Sequence, residues 1–169
     1  YTGEISAPML KELGVDLVEL GHAERRRYFN ETDESVNRKV HTALSHGIRA
    51  LVCAGETLQD KQQGLEKEAV GRQLKAILQG VGPEEAPNLI LAYEPVWAIG
   101  EEGSTADCEH IRSMSHHIRG MLRQQWSGDT ADQVAIIYGG DVNRTNAREI
   151  LSRGGVDGLF VGRAAWQAE

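Results

Sequence analysis

Two ionisable residues stand where α/β proteins place their chemistry. His22 follows the apolar run Val15–Leu20 across Gly21, and Glu94 follows the run Leu89–Tyr93 directly. In barrels and open sheets alike, function collects at the carboxyl ends of parallel strands. A carboxylate and an imidazole that face one pocket can move a proton between adjacent carbons. The carboxylate takes a C–H proton alpha to a carbonyl while the imidazole polarises the oxygen. Residue type and place alone leave a second reading open, in which His22 is a hydrogen-bonded loop residue and Glu94 a solvated residue ahead of Pro95. The Gly-bearing turns at Gly100, Gly139-Gly140 and Gly162 are a further signal, because glycine lets backbone N–H groups approach an anion. Ordinary turn glycine is the alternative there. The segment from Pro95 to Ala106 is longer than a tight βα loop, and reads either as a lid that excludes water or as an exposed loop.

These residues need elements to position them, and the chain supplies a repeating register. Short apolar runs at Val15–Leu20, Ile48–Cys53, Leu89–Tyr93, Val134–Tyr138 and Leu159–Val161 read as parallel strands covered on both faces. Between them the period becomes helical. Val36, Val40, Ala43 and Leu44 form one stripe, with Thr32 as N-cap and Gly47 at the end. Val70, Leu74, Ile77 and Leu78 form the next, stopped by Gly80 and Gly82. Ile111, Met114, Ile118, Met121 and Leu122 make a third, and Ala147, Ile150 and Leu151 a fourth that ends at Gly154-Gly155. A leading helix runs from Ser6, with Pro8 in its first turn and Gly14 after its last. The order predicts right-handed βαβ crossovers and one parallel sheet. Five units in 169 residues leave about 34 residues each. A (β/α)₈ barrel needs roughly 250 residues, so five strands cannot close one. An open doubly wound sheet is the structural alternative, but its dinucleotide Gly fingerprint is missing. No linker divides the chain, so residues 1–169 read as one domain.

Charge and composition narrow the function classes. With 25 acidic against 18 basic residues the net charge is -7, which argues against non-specific nucleic-acid binding. No apolar run approaches the roughly 20 residues of a membrane span. Cys53 and Cys108 cannot make a disulfide framework or a Cys-rich zinc site. The opening Tyr1-Thr2-Gly3-Glu4 carries no secretory pattern, which predicts a cytoplasmic protein. His110, His116 and His117 lack zinc-site spacing and read as solvated helix residues rather than metal ligands. Arg25-Arg26-Arg27, flanked by acids, reads as a salt-bridge cluster.

The motifs together resemble the triosephosphate isomerase family. The segments Gly21-His22-Ala23-Glu24-Arg25-Arg26, Tyr93-Glu94-Pro95-Val96-Trp97-Ala98-Ile99-Gly100 and Tyr138-Gly139-Gly140 carry the resemblance, and Thr2-Gly3-Glu4-Ile5-Ser6 is similar to the family's interface loop. It runs the length of the chain. It implies an α/β fold of the (β/α)₈ TIM-barrel type, of which strands four to eight are present. It implies an aldose–ketose isomerase that interconverts dihydroxyacetone phosphate and glyceraldehyde 3-phosphate through an enediolate, with no cofactor and no metal. Glu94 would be the general base, His22 the neutral electrophile and Glu24 their support. That division of labour is the one by which this family commonly illustrates paired carboxylate and imidazole tuning. Backbone at Gly100, Asp141, Gly162 and Arg163 would cradle the phosphate, and Glu56, Trp97 and Tyr138 would latch the lid. A homodimer would form through Thr2 and Glu4, with Arg25 as an ionic partner.

Three departures from the family pattern bear on that expectation. Nothing here matches the Asn and Lys at the end of the family's first strand, so the 169 residues alone are expected to catalyse poorly. After Gly100 the lid reads Glu101-Glu102-Gly103-Ser104-Thr105-Ala106, one residue longer and more acidic than the family's, and without its Lys. Asp141 replaces the usual Ser after Gly-Gly, and Arg163 the second Gly of the last pair. A carboxylate beside phosphate is repulsive, and an Arg could offset it, so the two changes are expected to be coupled. These departures resemble a side branch of isomerases acting on four-carbon ketose phosphates such as L-erythrulose 1-phosphate. A third reading is an inactive remnant that binds phosphate without turnover.

Overall fold

The computed structural model describes residues 2–100 and 103–166. Its elements, in chain order, are α1 (Ala7–Glu12), β1 (Leu17–Leu20), α2 (Ala23–Phe29), α3 (Asp33–Ser45), β2 (Arg49–Ala54), α4 (Leu58–Gln62), α5 (Glu66–Ile77), β3 (Leu89–Tyr93), α6 (Cys108–Gln125), α7 (Gly128–Ala131), β4 (Ala135–Tyr138), α8 (Ala147–Arg153) and β5 (Gly158–Leu159). All strand pairs are parallel, and the sheet order is β1-β2-β3-β4-β5. This strictly consecutive order has no reversal point, which separates it from a doubly wound sheet. It is the arc expected of five successive barrel units.

The two faces of the sheet differ. Ala50, Val52 and Ala54 of β2, Leu89, Leu91 and Tyr93 of β3, and Ile136 and Tyr138 of β4 pack with apolar residues of the helices, among them Val36, Val70, Leu74, Ile111 and Ile118. The alternate residues, Leu51, Cys53, Ile90, Ala92 and Ile137, form a separate apolar cluster with Phe160, which includes no helix residue among the described ones. Period-two alternation therefore sorts each strand into an outward, helix-covered set and an inward set. The inward face would line a barrel's interior.

The helix starts follow the sequence. Thr32 accepts from the Ser35 N–H and Ser35 answers to the Thr32 N–H, a complete capping box at the head of α3. Asp107 caps α6 through the His110 N–H. Strand ends shift where helices hold the flanking residues. Val15 donates to Leu10 O at the end of α1, so β1 begins at Leu17 rather than Val15. Ile48 donates to Ala43 O of α3, and β2 runs one residue later than expected. β5 is two residues long, and Val161 is exposed beyond it.

Register sets the site. Ala54, Tyr93, Tyr138 and Leu159 are successive partners, so four neighbouring strands end level with one another. Leu20 pairs with Val52. Continuing that register two residues places His22 level with Ala54 and Tyr93, just below Glu94.

Candidate active site

Glu94 continues the alternation of β3 onto the inward face. Its N–H donates to Ala54 O at 2.9 Å, while Gly139 N–H donates to Tyr93 O at 2.9 Å, so the ladder persists past the strand on both sides. A Cβ on Gly139 would lie 3.0 Å from Glu94 Cγ and 3.1 Å from Phe160. The glutamate stem is thus fitted against bare backbone.

His22 is held from the other strand by its own helix. It caps α2, and its Nδ1 accepts from the Glu24 N–H at 3.3 Å. An Nδ1 that accepts leaves the proton of the neutral ring on Nε2. That Nε2 lies 3.3 Å from Glu94 Oε1. Glu24 therefore supports the pair through its backbone, and its side chain is exposed. The turn bearing His22 is clamped by a buried carboxylate. Glu31 Oε2 accepts from Gly21 N–H at 3.0 Å, and its Oε1 takes Lys39 at 2.5 Å and Arg25 at 3.4 Å. Burial pushes the Glu31 carboxyl up, but Lys39, the Gly21 N–H and Arg25 outweigh it and hold the group below the usual range. Arg26 adds a hydrogen bond from Nε to Gly21 O at 2.7 Å and an ion pair with Asp33 at 2.6 Å. Of the three expected salt-bridge residues, Arg25 and Arg26 form ion pairs, while Arg27 lies over the Tyr28 ring.

Glu94 is 2 % exposed. Burial pushes its carboxyl up to about 7, against the opposing pull of His22, Cys53 and the Ala23 N–H and with help from the Glu19 charge. Cys53 and Ala23 approach closely enough to favour the charged form, yet Glu94 Oε2 makes no hydrogen bond of ordinary geometry. A buried carboxylate with one uncommitted oxygen and a pKa near neutrality has the properties of a general base. Cys53 is 1 % exposed, and burial together with Glu94 raises its thiol far above the usual range, so it is a neutral neighbour and no nucleophile. Its signal in the sequence was its inward position in β2, two residues before Gly55.

The cleft above the pair has a volume of about 930 Å³ and also takes in Glu19, Glu24, Arg25, Asp141, Gly162 and Arg163. Gly100 lies on its wall with φ +91°, a conformation that favours glycine. The structure thus gathers every expected phosphate-cradle position around one opening. Asp141 and Arg163 line the same cleft without a direct hydrogen bond or ion pair between them among the described residues. Asp141 Oδ2 accepts from Thr105 Oγ1 at 3.0 Å and from Asn143 at 3.2 Å, while Arg163 Nη2 donates to Gly100 O at 2.6 Å. Each departure engages the lid segment instead. Glu101 and Glu102 of that segment lie outside the described residues.

Beside the cleft, the expected latch residues form one buried cluster. Glu56 is 0 % exposed, and its Oε1 accepts from Trp97 Nε1 at 2.7 Å and Tyr93 OH at 2.9 Å. His110 Nε2 stands 2.9 Å from Tyr93 OH and 3.4 Å from Glu56 Oε1. Burial raises the Glu56 carboxyl, but the bonds from His110, Trp97 and Tyr93 together win and hold it low. Tyr138 joins through Tyr93, ring centroids 6.1 Å apart. His110 corrects the sequence expectation. It is no solvated helix residue, because its place in the first turn of α6 turns it into the Glu56 cluster. Arg25, expected at a dimer contact, has its Nε on Glu31 within the chain and its guanidinium over the Phe29 ring. No helix among the described residues is long and apolar enough to cross a membrane.

Comparison with known proteins agrees with this geometry. The sequence profile of the family described as Triosephosphate isomerase matches residues 1–169. The chain is 44% identical over 169 residues to a triosephosphate isomerase of Alkaliphilus oremlandii, covering 100% of this chain and 68% of the relative. It is 45% identical over 165 residues to one of Acetivibrio thermocellus, covering 98% and 65% respectively. A triosephosphate isomerase of Lactobacillus helveticus is 41% identical over 169 residues, 100% of this chain and 67% of the relative. The chain therefore spans about two thirds of the length of these relatives, and its consecutive five-stranded arc is part of a TIM barrel. On the match along its whole length, the chain belongs to the triosephosphate isomerase family.

Proposed function

We propose that this chain carries the proton-transfer apparatus of an isomerase that interconverts dihydroxyacetone phosphate and glyceraldehyde 3-phosphate. The observation that carries the reading is the approach of His22 Nε2 to within 3.3 Å of Glu94 Oε1, at the mouth of a cleft ringed by Gly-bearing turns. Glu94 removes a proton from the carbon alpha to the carbonyl, and the electron pair moves onto the carbonyl oxygen to give an enediolate. His22 Nε2–H hydrogen-bonds that oxygen as its charge develops. The proton of the adjacent hydroxyl passes to that oxygen, so the carbonyl forms one carbon over as Glu94 returns its proton to the former carbonyl carbon. Positioned protein groups suffice for each step, so the reading calls for no metal or organic cofactor. The phosphate takes backbone N–H groups at Gly100, Asp141, Gly162 and Arg163.

The test is turnover of dihydroxyacetone phosphate by the protein, followed by the His22→Gln variant. The variant should lower kcat by on the order of 10² while leaving the affinity for sn-glycerol 3-phosphate within about twofold. Equal turnover by variant and wild type would remove His22 from the mechanism. Binding of the analogue with no turnover by the wild type would favour the phosphate-binding remnant.

Asp141 and Arg163 favour a second substrate reading. They replace small residues at the phosphate turns with side chains that grip the neighbouring segment, which fits an isomerase for a four-carbon ketose phosphate such as L-erythrulose 1-phosphate. A ratio of kcat/KM above unity for that substrate over dihydroxyacetone phosphate would establish it. Expressed as these 169 residues only, the protein should turn substrate over slowly, because no residue here matches the first-strand Lys of the family pattern. The proposed assembly is a cytoplasmic homodimer in which exposed Thr2 and Glu4 meet the second subunit. Arg25 would join that contact only by loosening its hold on Glu31.

A further inference from the structure

Arg163 lines the cleft as an exposed cation, and one of its N–H groups is committed. Nη2 donates to Gly100 O at 2.6 Å across 63 residues of sequence. The same carbonyl accepts from the Gly103 N–H at 3.3 Å, and the Ser104 N–H donates to Trp97 O at 3.1 Å. Gly100 is therefore a corner of the chain held by a strut from a distant segment. The corner needs one: φ is +91°, nothing lies within 4 Å of where its Cβ would be, and the residue is exposed. The far side of the segment has its own anchor, Thr105 Oγ1 on Asp141 Oδ2. The rest of the Arg163 fork has no hydrogen-bond partner among the described residues, and it faces a cleft that also holds the Asp141 carboxylate.

We propose that Arg163 is a positioning residue for phosphate: its guanidinium grips the Gly100 carbonyl, fixing the peptide planes of the Gly100 turn so that the Gly100 N–H points into the cradle, and its remaining N–H groups meet the phosphate charge. The proposal rests on the phosphate-isomerase reading and adds to it a side-chain tie between two turns that the fold brings together from β3 and β5. It also accounts for Asp141. A carboxylate at the cradle is tolerated because its Oδ2 is turned to Thr105 and Asn143, and because the Arg163 cation stands across the same opening. A planar fork suits this double duty, since one edge can hold a carbonyl while another faces an oxyanion.

The test is a titration of the full chain with sn-glycerol 3-phosphate by calorimetry, run beside steady-state kinetics, on wild type, Arg163→Gly and Arg163→Lys. Arg163→Gly should weaken analogue binding and raise KM, each about tenfold, with kcat changed by less than about threefold. Arg163→Lys should recover part of the binding, and its recovery should shrink with added salt, because an ammonium restores charge but not the fork. Amide exchange should accelerate in the peptide containing Gly100 and Gly103 for Arg163→Gly, and stay as in wild type in β2 and β3. Binding within twofold of wild type for Arg163→Gly, faster exchange throughout the domain, or no analogue binding by the wild type would each overturn the proposal. A wild type that binds the analogue through Arg163 but shows no turnover would end the isomerase reading and leave the strut standing.

Discussion

Glu94→Gln should abolish turnover and, at the same time, make the protein more stable above pH 7. The loss of rate follows from removing the base, on the order of 10³ in kcat. The gain in stability follows from linkage. The Glu94 carboxyl gives up its proton at about 7 in the folded protein, against an ordinary value of 4.5. A carboxyl whose pKa is raised by folding binds more protons folded than unfolded between those values, so stability falls as pH climbs from about 4.5 to 7 and is flat beyond. The full penalty is about 3 kcal/mol, an upper bound that relaxation around the side chain will reduce. Glutamine has no such proton to lose. Below pH 4.5 the two proteins should unfold at nearly the same denaturant midpoint, and above pH 7 the variant should be the more stable by about 1–3 kcal/mol. Parallel pH–stability curves would show that Glu94 is not held protonated by burial, and the general-base argument would lose its electrostatic support.

Gly55→Ala should be the most damaging single methyl group in the molecule. A Cβ there would stand 1.8 Å from the Glu94 carbonyl oxygen, 2.3 Å from its carbon and 3.0 Å from Pro95 N. All three are backbone atoms, so no rotamer change relieves the clash. Gly55 itself cannot retreat easily, because its N–H donates to Gln73 Oε1 and its carbonyl accepts from Gln73 Nε2, both at 2.9 Å. The ends of β2 and β3 must separate at Glu94, the proposed base. A loss of about 3 kcal/mol or more is expected, together with a kcat reduction that persists at temperatures where the variant is fully folded. Gly120→Ala is the matched control. It lies within α6 with nothing within 4 Å of the new methyl, and should gain up to about 1 kcal/mol from helix propensity. Similar melting temperatures for wild type and Gly55→Ala would show that the strands can part there at little cost.

How much of this could be read in the residues depends on which force decided each element. β3 was legible from end to end because Leu89–Tyr93 is a continuous apolar run, buried on both faces, between a 3₁₀ turn and a proline. The stripes of α3, α5 and α6 were legible because their apolar residues all face one core. α2 was not seen as a helix, since Ala23–Phe29 buries no residue and has no stripe. Its helix is written in its ends: the His22 cap, Glu24 in the first turn, Arg26 and Arg27 in the last, and Asn30 at φ 58°. His22 and Glu94 were placed correctly by the rule of strand ends, but their 3.3 Å approach is a product of register across β1, β2 and β3, which no local pattern encodes. His110 and Cys53 were missed for one reason. Each owes its role to the face of an element on which it falls, and a histidine or cysteine taken singly says nothing of that face. Charge alone marked Asp141 and Arg163 as a pair of changes, but it could not show that their side chains bond to Thr105, Asn143 and Gly100.

The consecutive strand order has a consequence for how such a protein is assembled. Each strand takes its register only from strands next to it in the chain, so structural information passes from neighbour to neighbour as it does along a row of stacked repeats. The interior members of the row, β2 and β3, are the ones whose residues are almost all buried, while β1 and β5 are only partly covered. Order should therefore nucleate at that central pair and spread outward by accretion. The base and the glycine that shapes its seat, both at the ends of this pair, would be among the first parts of the machinery to take form. The turn at Gly162-Arg163, which follows β5, would be among the last.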